Sequence, residues 1–342
     1  MSTPLRVGWV GCGRHATEML LPQLVRHPVR LVALCDVDEG ALTRAGDRFG
    51  VPAAQRTRDY RAILSRSDID AVGMAVGPQA HAAMAVEALA SGRPVFIEKP
   101  PGGNARDARA IAEAVLRSGR PAVLGFMKRY STANCIATNI VRGSEFGATA
   151  GFLGEYMTAP TYFEGNPDYT GFYLHHCVHY MDLVPFLMGK VASVETRRHE
   201  IAPGKLLLQV HFRFANGGIG TLAMGTNQSR ATPMEWWQVM GDHRRIEVRN
   251  VHEVRYFRAP KFKVDDPAAT LLDSEDTLVW EPNLTVAANE DHKGYHAVLG
   301  AFVATLRGEA VAAPSAVDGV RAMELLEAMI CSAENGGAPQ PL

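Results

Sequence analysis

Residues 5–16, LRVGWVGCGRHA, constrain this 342-residue chain more than any other stretch. A short apolar run stops at three small residues spaced Gly11-x-Gly13-x-x-Ala16. The spacing predicts a strand that turns into a helix around a dinucleotide. Gly11 allows the tight turn, Gly13 lets a pyrophosphate approach the backbone, and Ala16 lets the helix pack close to the strand. Cys12, Arg14 and His15 complete the loop, and the helix beginning near Arg14 offers its first N–H groups to phosphates. Such turns also occur without a ligand. Here a second apolar run, Arg30 to Cys35, ends in Asp36, where a carboxylate can accept hydrogen bonds from a ribose 2′-OH.

The length suits two domains. Up to residue 126, strands near 5–10, 30–35, 70–76, 94–97 and 122–126 alternate with helices near 14–26, 38–49, 57–65, 79–91 and 104–118. This alternation predicts an α/β domain with a doubly wound parallel sheet over 1–126. Asn104 reads as a helix N-cap, Gly92 and Gly119 as helix ends, and Pro22 as a kink in the first helix. Over 127–342 the pattern changes to an α+β one. After a helix near 132–142, strand-like segments run over 149–158, 191–201, 206–214, 219–226, 235–240 and 244–257. Asn216-Gly217-Gly218 and Gly241-Asp242 read as hairpin turns, so this second, larger sheet should be open and mostly antiparallel. Helices are expected near 172–188, 293–307 and 317–334, the last two able to pack back on the first domain, with AENGGAPQPL as a loosely held tail.

With 35 basic against 36 acidic residues, nothing in the overall charge favours a nucleic-acid or membrane-surface role. No apolar run is long enough to span a bilayer, and the opening MSTPLRVGWV lacks the regions of a signal peptide. Cys12, Cys35, Cys135, Cys177 and Cys331 are scattered and odd in number, which fits reduced core thiols and a cytoplasmic location.

Two stretches carry candidate chemistry. PVFIEKPPG places Glu98, Lys99 and Pro100 at the carboxyl end of a parallel strand, the end at which open α/β sheets bind ligands. Lys99 there either moves a proton and polarises a substrate oxygen or is an ordinary strand-end lysine. In TGFYLHHCVHYMDLVPFLMG, Leu174, Val178, Met181 and Pro185 make the expected buried stripe, with His175, His179 and Asp182 along the neighbouring face. His179 can act as acid/base with Asp182 orienting it, or the histidines are satisfied polar groups. The i, i+4 spacing of His175 and His179 also suits zinc, but no third ligand is evident and no metal is assigned. Tyr162 and its neighbours in 156–171 form either a substrate wall or a plain connection. Trp236 and Trp237 should face opposite sides of a strand.

Taken in order, GWVGCGRHA, Asp36, DAVGMAVGPQAH, FIEKP, GFMKRY and the histidine helix with MDLVPFLMG resemble the Gfo/Idh/MocA family of oxidoreductases over nearly the whole chain. The resemblance implies a Rossmann domain followed by an α/β substrate domain whose large open sheet makes a homodimer or homotetramer. It also implies NAD(P)-dependent chemistry on sugars, inositols and related polyols. Lys99 and His179 take the positions of the family's catalytic lysine and histidine. Glu98, His81 and Arg129 match cofactor-lining positions, and Tyr295 an aromatic near the active site. Two departures stand out. His175 replaces the usual aspartate that holds a substrate hydroxyl, and Val76-Gly77-Pro78 replaces Thr-Pro-Asn in the loop bordering the nicotinamide ribose.

These readings converge on an enzyme that transfers hydride between nicotinamide and a secondary hydroxyl or ketone of a polyol, cyclitol or sugar derivative. Redox-neutral chemistry with retained NAD and a non-catalytic ligand sensor are the alternatives. Asp36 repels a 2′-phosphate and Val37 supplies no cation, so NAD is the expected cofactor; Arg44 keeps NADP as the alternative.

Overall fold

β1 (Leu5–Val10) forms because its apolar residues are covered from both sides, as a central parallel strand requires. The computed structural model describes residues 3–160, 168–229, 234–258, 277–283 and 291–342. It divides into two units, one of Met1–Tyr130 with Gly294–Glu324 and the other of Ser131–Lys293 with Leu325–Leu342.

In the first unit β1 leads through a π turn (Ala16–Leu20) into α1 (Leu21–Leu24). Pro22 cannot donate to the carbonyl one turn back, and the expected kink takes the form of this widened turn. β2 (Val29–Cys35) and α2 (Glu39–Phe49) follow, α2 capped by the Asp38 carboxylate on the Ala41 N–H. The expected helix over 57–65 shortens to α3 (Tyr60–Leu64). Arg56–Thr57 pairs beside β2 as β3, and Asp59 caps α3 by accepting from the Arg61 N–H. Next come β4 (Ala71–Met74), α4 (Pro78–Ala90), β5 (Val95–Ile97), α5 (Ala105–Ser118) and β6 (Ala122–Leu124). Asn104 caps α5 through the Asp107 N–H, and Gly119 ends it in the left-handed region.

All pairings in this sheet are parallel and the order is β3-β2-β1-β4-β5-β6. The strand order reverses between β1 and β4, which opens a crevice at their carboxyl ends.

The second unit begins with α6 (Thr132–Arg142) and β7 (Gly151–Met157). The expected helix over 172–188 is three joined pieces: α7 (Thr170–Phe172), a π turn (Tyr173–Cys177) and α8 (Val178–Met188). Then follow β8 (Val191–Glu200), β9 (Leu206–Phe214), β10 (Ile219–Gly225), β11 (Glu235–Met240), β12 (Arg245–Arg249), β13 (Glu253–Phe257) and β14 (Thr277–Trp280). The expected single strand over 244–257 is a hairpin. Asn250 and Val251 take φ of 48° and 57° between β12 and β13, a turn written without glycine.

α9 (Tyr295–Leu306) belongs to the first unit, where Phe302 packs 5.7 Å from Phe96 of β5. α10 (Ala316–Glu334) contributes its start to the first unit and its end to the second. The tail is held, contrary to expectation. Gln340–Pro341 forms β15 against β8, and the Leu342 N–H donates to the Ala192 carbonyl at 3.0 Å. The sheet runs β14-β13-β12-β11-β7-β10-β9-β8-β15, antiparallel except at β7 and β10. Trp237 is buried against Phe152 and Trp236 is only half-buried, as alternation requires. Cys12, Cys35 and Cys177 are buried thiols, whereas Cys135 is half-buried and Cys331 exposed, correcting the expectation of five core cysteines.

Candidate active site

Gly11 leaves β1 with φ of 90°, and a Cβ there would lie 2.2 Å from the Ala75 carbonyl oxygen, so only glycine fits. Its N–H donates to the Cys35 carbonyl at 2.8 Å. Asp36, at the end of β2, closes the turn from the other side. Its Oδ2 accepts from the Cys12 N–H at 2.6 Å and its Oδ1 from the Asp38 N–H at 2.9 Å. Apart from Gly13 and its chain neighbours, no described atom comes within 4 Å of where a Cβ on Gly13 would stand, so the backbone there is open to approach. Ala16 is buried against the sheet. A cleft of about 520 Å³ lies beside this turn, lined by Cys12, Gly13, Arg14, Thr17, Asp38 and Arg44 among others. An open turn, a carboxylate at the end of β2 and a cleft of this size fit the adenosine and pyrophosphate of a dinucleotide. Arg14 is exposed and held by Glu18 at 2.9 Å. The Cys12 thiol is pushed up to about 12 by burial and by Asp36 and Cys35, so it remains protonated.

At the crevice, β5 delivers Glu98 and Lys99. The Glu98 N–H donates to the Met74 carbonyl at 2.9 Å, extending the β4–β5 ladder by one residue. Its buried carboxylate lies 3.4 Å from His15 Nε2 and 3.9 Å from Lys99 Nζ, both at Oε1. Only 11% of the Lys99 side chain is exposed. Burial lowers the Lys99 ammonium from its usual range, Glu98 opposes that shift, and Lys128 adds to it. The Lys99–Pro100 peptide is cis.

His81, on α4, is buried, with both ring nitrogens engaged. Nε2 accepts from the Val76 N–H at 3.1 Å, which leaves Nδ1–H to donate to the Pro100 carbonyl at 2.8 Å. Burial pushes this ring down to about 4. Arg129 pairs with Asp318 at 3.2 Å, and Tyr295 meets His15 edge-on at 5.6 Å between ring centres.

In the second unit, His179 and Asp182 on α8 are buried and His175 is partly exposed. His175 lies within the π turn, so the 3.6-residue spacing that lines it up with His179 does not hold through that segment. Leu174, Val178 and Met181 are buried as expected, but Pro185 is only half-buried. The neighbouring His176 bonds the Tyr156 hydroxyl at 3.1 Å through Nδ1, and the Tyr180 hydroxyl donates to Glu235 at 2.9 Å. These buried partners come from strands distant in sequence, and no local signal announces them. Tyr162 lies outside the described residues. Among the described residues, no three His, Cys, Asp or Glu side chains cluster so as to hold a metal ion. No described helix is long and apolar enough to cross a membrane.

Comparison with known proteins bears on this geometry. Residues 5–126 match the model of the oxidoreductase family with an NAD-binding Rossmann fold, and residues 159–342 match its C-terminal alpha/beta domain. The chain is 32% identical over 160 residues to an inositol 2-dehydrogenase of Salmonella paratyphi B, covering 46% of this chain and 47% of the relative. The match thus spans about half that curated relative's length. An inositol 2-dehydrogenase of Rubrobacter xylanophilus is 28% identical over 99% of this chain and 93% of its own. In fold, the chain is similar to a dehydrogenase from Chromobacterium violaceum, with a TM-score of 0.83 at 22% identity, covering 98% of this chain and 96% of that one.

Proposed function

We propose, because this chain belongs to the Gfo/Idh/MocA family of oxidoreductases, that it is an NAD-dependent dehydrogenase acting on a secondary hydroxyl of a polyol, cyclitol or sugar derivative. The observation that carries this reading is Lys99. It is a nearly buried amine with lowered proton affinity, carried by β5 next to the switch-point strand β4 and joined through Glu98 to the dinucleotide turn. The inositol 2-dehydrogenase relatives support the substrate class.

When bound, NAD supplies the hydride acceptor of the reaction. Gly11, Gly13 and the first helical N–H groups would hold its pyrophosphate, and Asp36 its adenosine ribose. Arg44, in the same cleft, is the residue through which NADP would be accommodated. His179 serves as the acid/base toward the substrate hydroxyl, with Asp182 setting its charge and His175 and Tyr295 orienting substrate. Lys99 stabilises the developing oxygen charge and shares the proton. His81 and Arg129 act by fixing loops, since the ring nitrogens of one and the charge of the other are engaged within the protein. The dehydrogenase works as a homo-oligomer through its nine-stranded sheet, where Leu153 and Ile219 are exposed. Sedimentation of a Leu153→Arg variant as an unchanged oligomer would count against that interface.

The test is NADH formation over a panel of inositols, polyols and sugars. His179→Ala should keep NAD affinity and lose most turnover, whereas near wild-type kcat would remove His179 from the chemistry. A second reading, transient oxidation with NAD retained, draws on His175 standing in a π turn where the resemblance leads one to expect an aspartate. Substrate conversion without net NADH, by protein that purifies with its cofactor, would favour it.

A further inference from the structure

We infer that His15 and Glu98 form a proton relay that carries the proton received at Lys99 out to solvent. The inference rests on the proposed dehydrogenase reading, in which each alcohol oxidised releases one proton inside the crevice.

The geometry supplies three stations in order of increasing exposure. Lys99 is nearly buried, the Glu98 side chain is 6% exposed, and His15 is 44% exposed. Both neighbours approach a single oxygen, Glu98 Oε1, Lys99 Nζ at 3.9 Å and His15 Nε2 at 3.4 Å. Among the described residues neither carboxylate oxygen of Glu98 accepts a hydrogen bond within ordinary limits, so no fixed donor ties the carboxylate down beside these two neighbours. A carboxylate that answers to two nitrogen bases, and to little else, is suited to passing a proton between them.

The other groups around it do not compete. His81 has both nitrogens committed and stays neutral, with its ring pushed down to about 4 by burial. Lys128 is a buried lysine whose charge disfavours the ammonium form of Lys99. Tyr295 braces the His15 ring edge-on. That leaves His15 as the route to water, a second use for a residue of the dinucleotide turn.

Each transfer balances. With NAD bound to accept the hydride, the hydroxyl proton that His179 takes up and Lys99 shares would reach the Lys99 amine. The ammonium then gives a proton to Glu98 Oε1, the resulting carboxylic acid gives it to His15 Nε2, and the imidazolium releases its Nδ1 proton to water. Lys99 and Glu98 return to their starting states, and His15, left with its proton on Nε2, regains the Nδ1–H tautomer by exchanging protons with water.

Exchange of the Lys99 Nζ protons with water, followed by NMR on ¹⁵N-lysine protein without cofactor or substrate, tests the relay directly. His15→Gln and Glu98→Gln should each slow it by about tenfold or more, and added imidazole should restore the rate in His15→Gln. Unchanged exchange in both variants overturns the relay. In turnover on inositol, His15→Gln should lose about tenfold in kcat and recover with imidazole, whereas Lys99→Met should not recover. A His15→Gln defect that imidazole leaves untouched also overturns it, because a structural defect is not repaired by a diffusible base. The exchange measurement needs no reaction, so failure of the dehydrogenase reading, no NADH from any polyol, stays distinct from failure of the relay.

Discussion

The imidazole of His81 donates from Nδ1 to the carbonyl of Pro100 at 2.8 Å, tying α4 to the residue that follows Lys99. With Val76 donating to Nε2, one buried ring joins the loops after β4 and β5, beside the crevice.

This clamp works only while the ring is neutral, and that fixes its pH dependence. Folded, the ring is pushed down to about 4 by burial; unfolded, it titrates near its usual 6.5. The unfolded chain therefore takes up a proton first as pH falls. Stability is complete above about 6.5 and declines toward pH 4, by on the order of 3 kcal/mol. His81→Gln should lose roughly 2 kcal/mol at pH 7 and flatten this acid slope, as urea melts at pH 7 and pH 5 would report. An equally steep slope in the variant would assign the acid loss to other groups.

Asp36 holds two backbone N–H groups with two oxygens, and an amide has one acceptor oxygen to offer. Asp36→Asn should weaken NAD binding by about tenfold and improve NADP relative to NAD, because the charge that repels a 2′-phosphate is gone while Arg44 remains. Calorimetric titration with both cofactors measures the ratio, and an unchanged ratio would mean that Asp36 does not set cofactor choice.

Asp318 and Ser315 cap α10 reciprocally. The carboxylate accepts from the Ser315 N–H at 2.8 Å, and the Asp318 N–H donates to the Ser315 hydroxyl at 3.3 Å. Burial alone would raise the Asp318 carboxyl; Arg129 and Ser315 outweigh it and hold the group below its ordinary value. Its contribution is therefore present above about pH 4 and lost as pH falls through the lowered folded value. Asp318→Ala should cost about 2–3 kcal/mol at pH 7. Arg129→Met combined with it should cost less than the sum of the two single changes, which denaturation of all three variants would show.

Lys99→Met should lower kcat by about 10²–10⁴ with NAD affinity little changed, and Lys99→Arg should rescue little because a planar guanidinium does not replace a compact amine that can lose its proton. Parallel measurement of kcat and cofactor affinity separates chemistry from binding. Loss of affinity with kcat intact would make Lys99 a binding residue.

Much of this could be read from the chain because it is written locally. Gly11, Gly13, Ala16 and Asp36 sit at fixed spacings, and the strand–helix alternation that surrounds them is periodic. Asn104 and Gly119 mark the ends of α5 for the same reason. What escaped is tertiary or conformational. The turn between β12 and β13 carries Val251 at positive φ, which the rest of the sheet must enforce on a β-branched residue, and Asn250 was its one local signal. The π turns at Ala16–Leu20 and Tyr173–Cys177 alter helical phase without changing composition. At the candidate site, Glu98 and Lys99 stand out as neighbours in a motif. The approach of His15 to Glu98, from 83 positions away, depends on β1 and β5 flanking β4 in one sheet.

The two-residue strand β15 has a consequence for solubility. A nine-stranded open sheet ends in unpaired backbone groups that invite strands from other molecules. Along β8 that invitation is answered by β15, and the cover is poor material for further growth because it is only two residues long and one of them, Pro341, has no N–H to extend a ladder. Gln340 and Pro341 thus leave this edge of the sheet a poor template for further strand pairing.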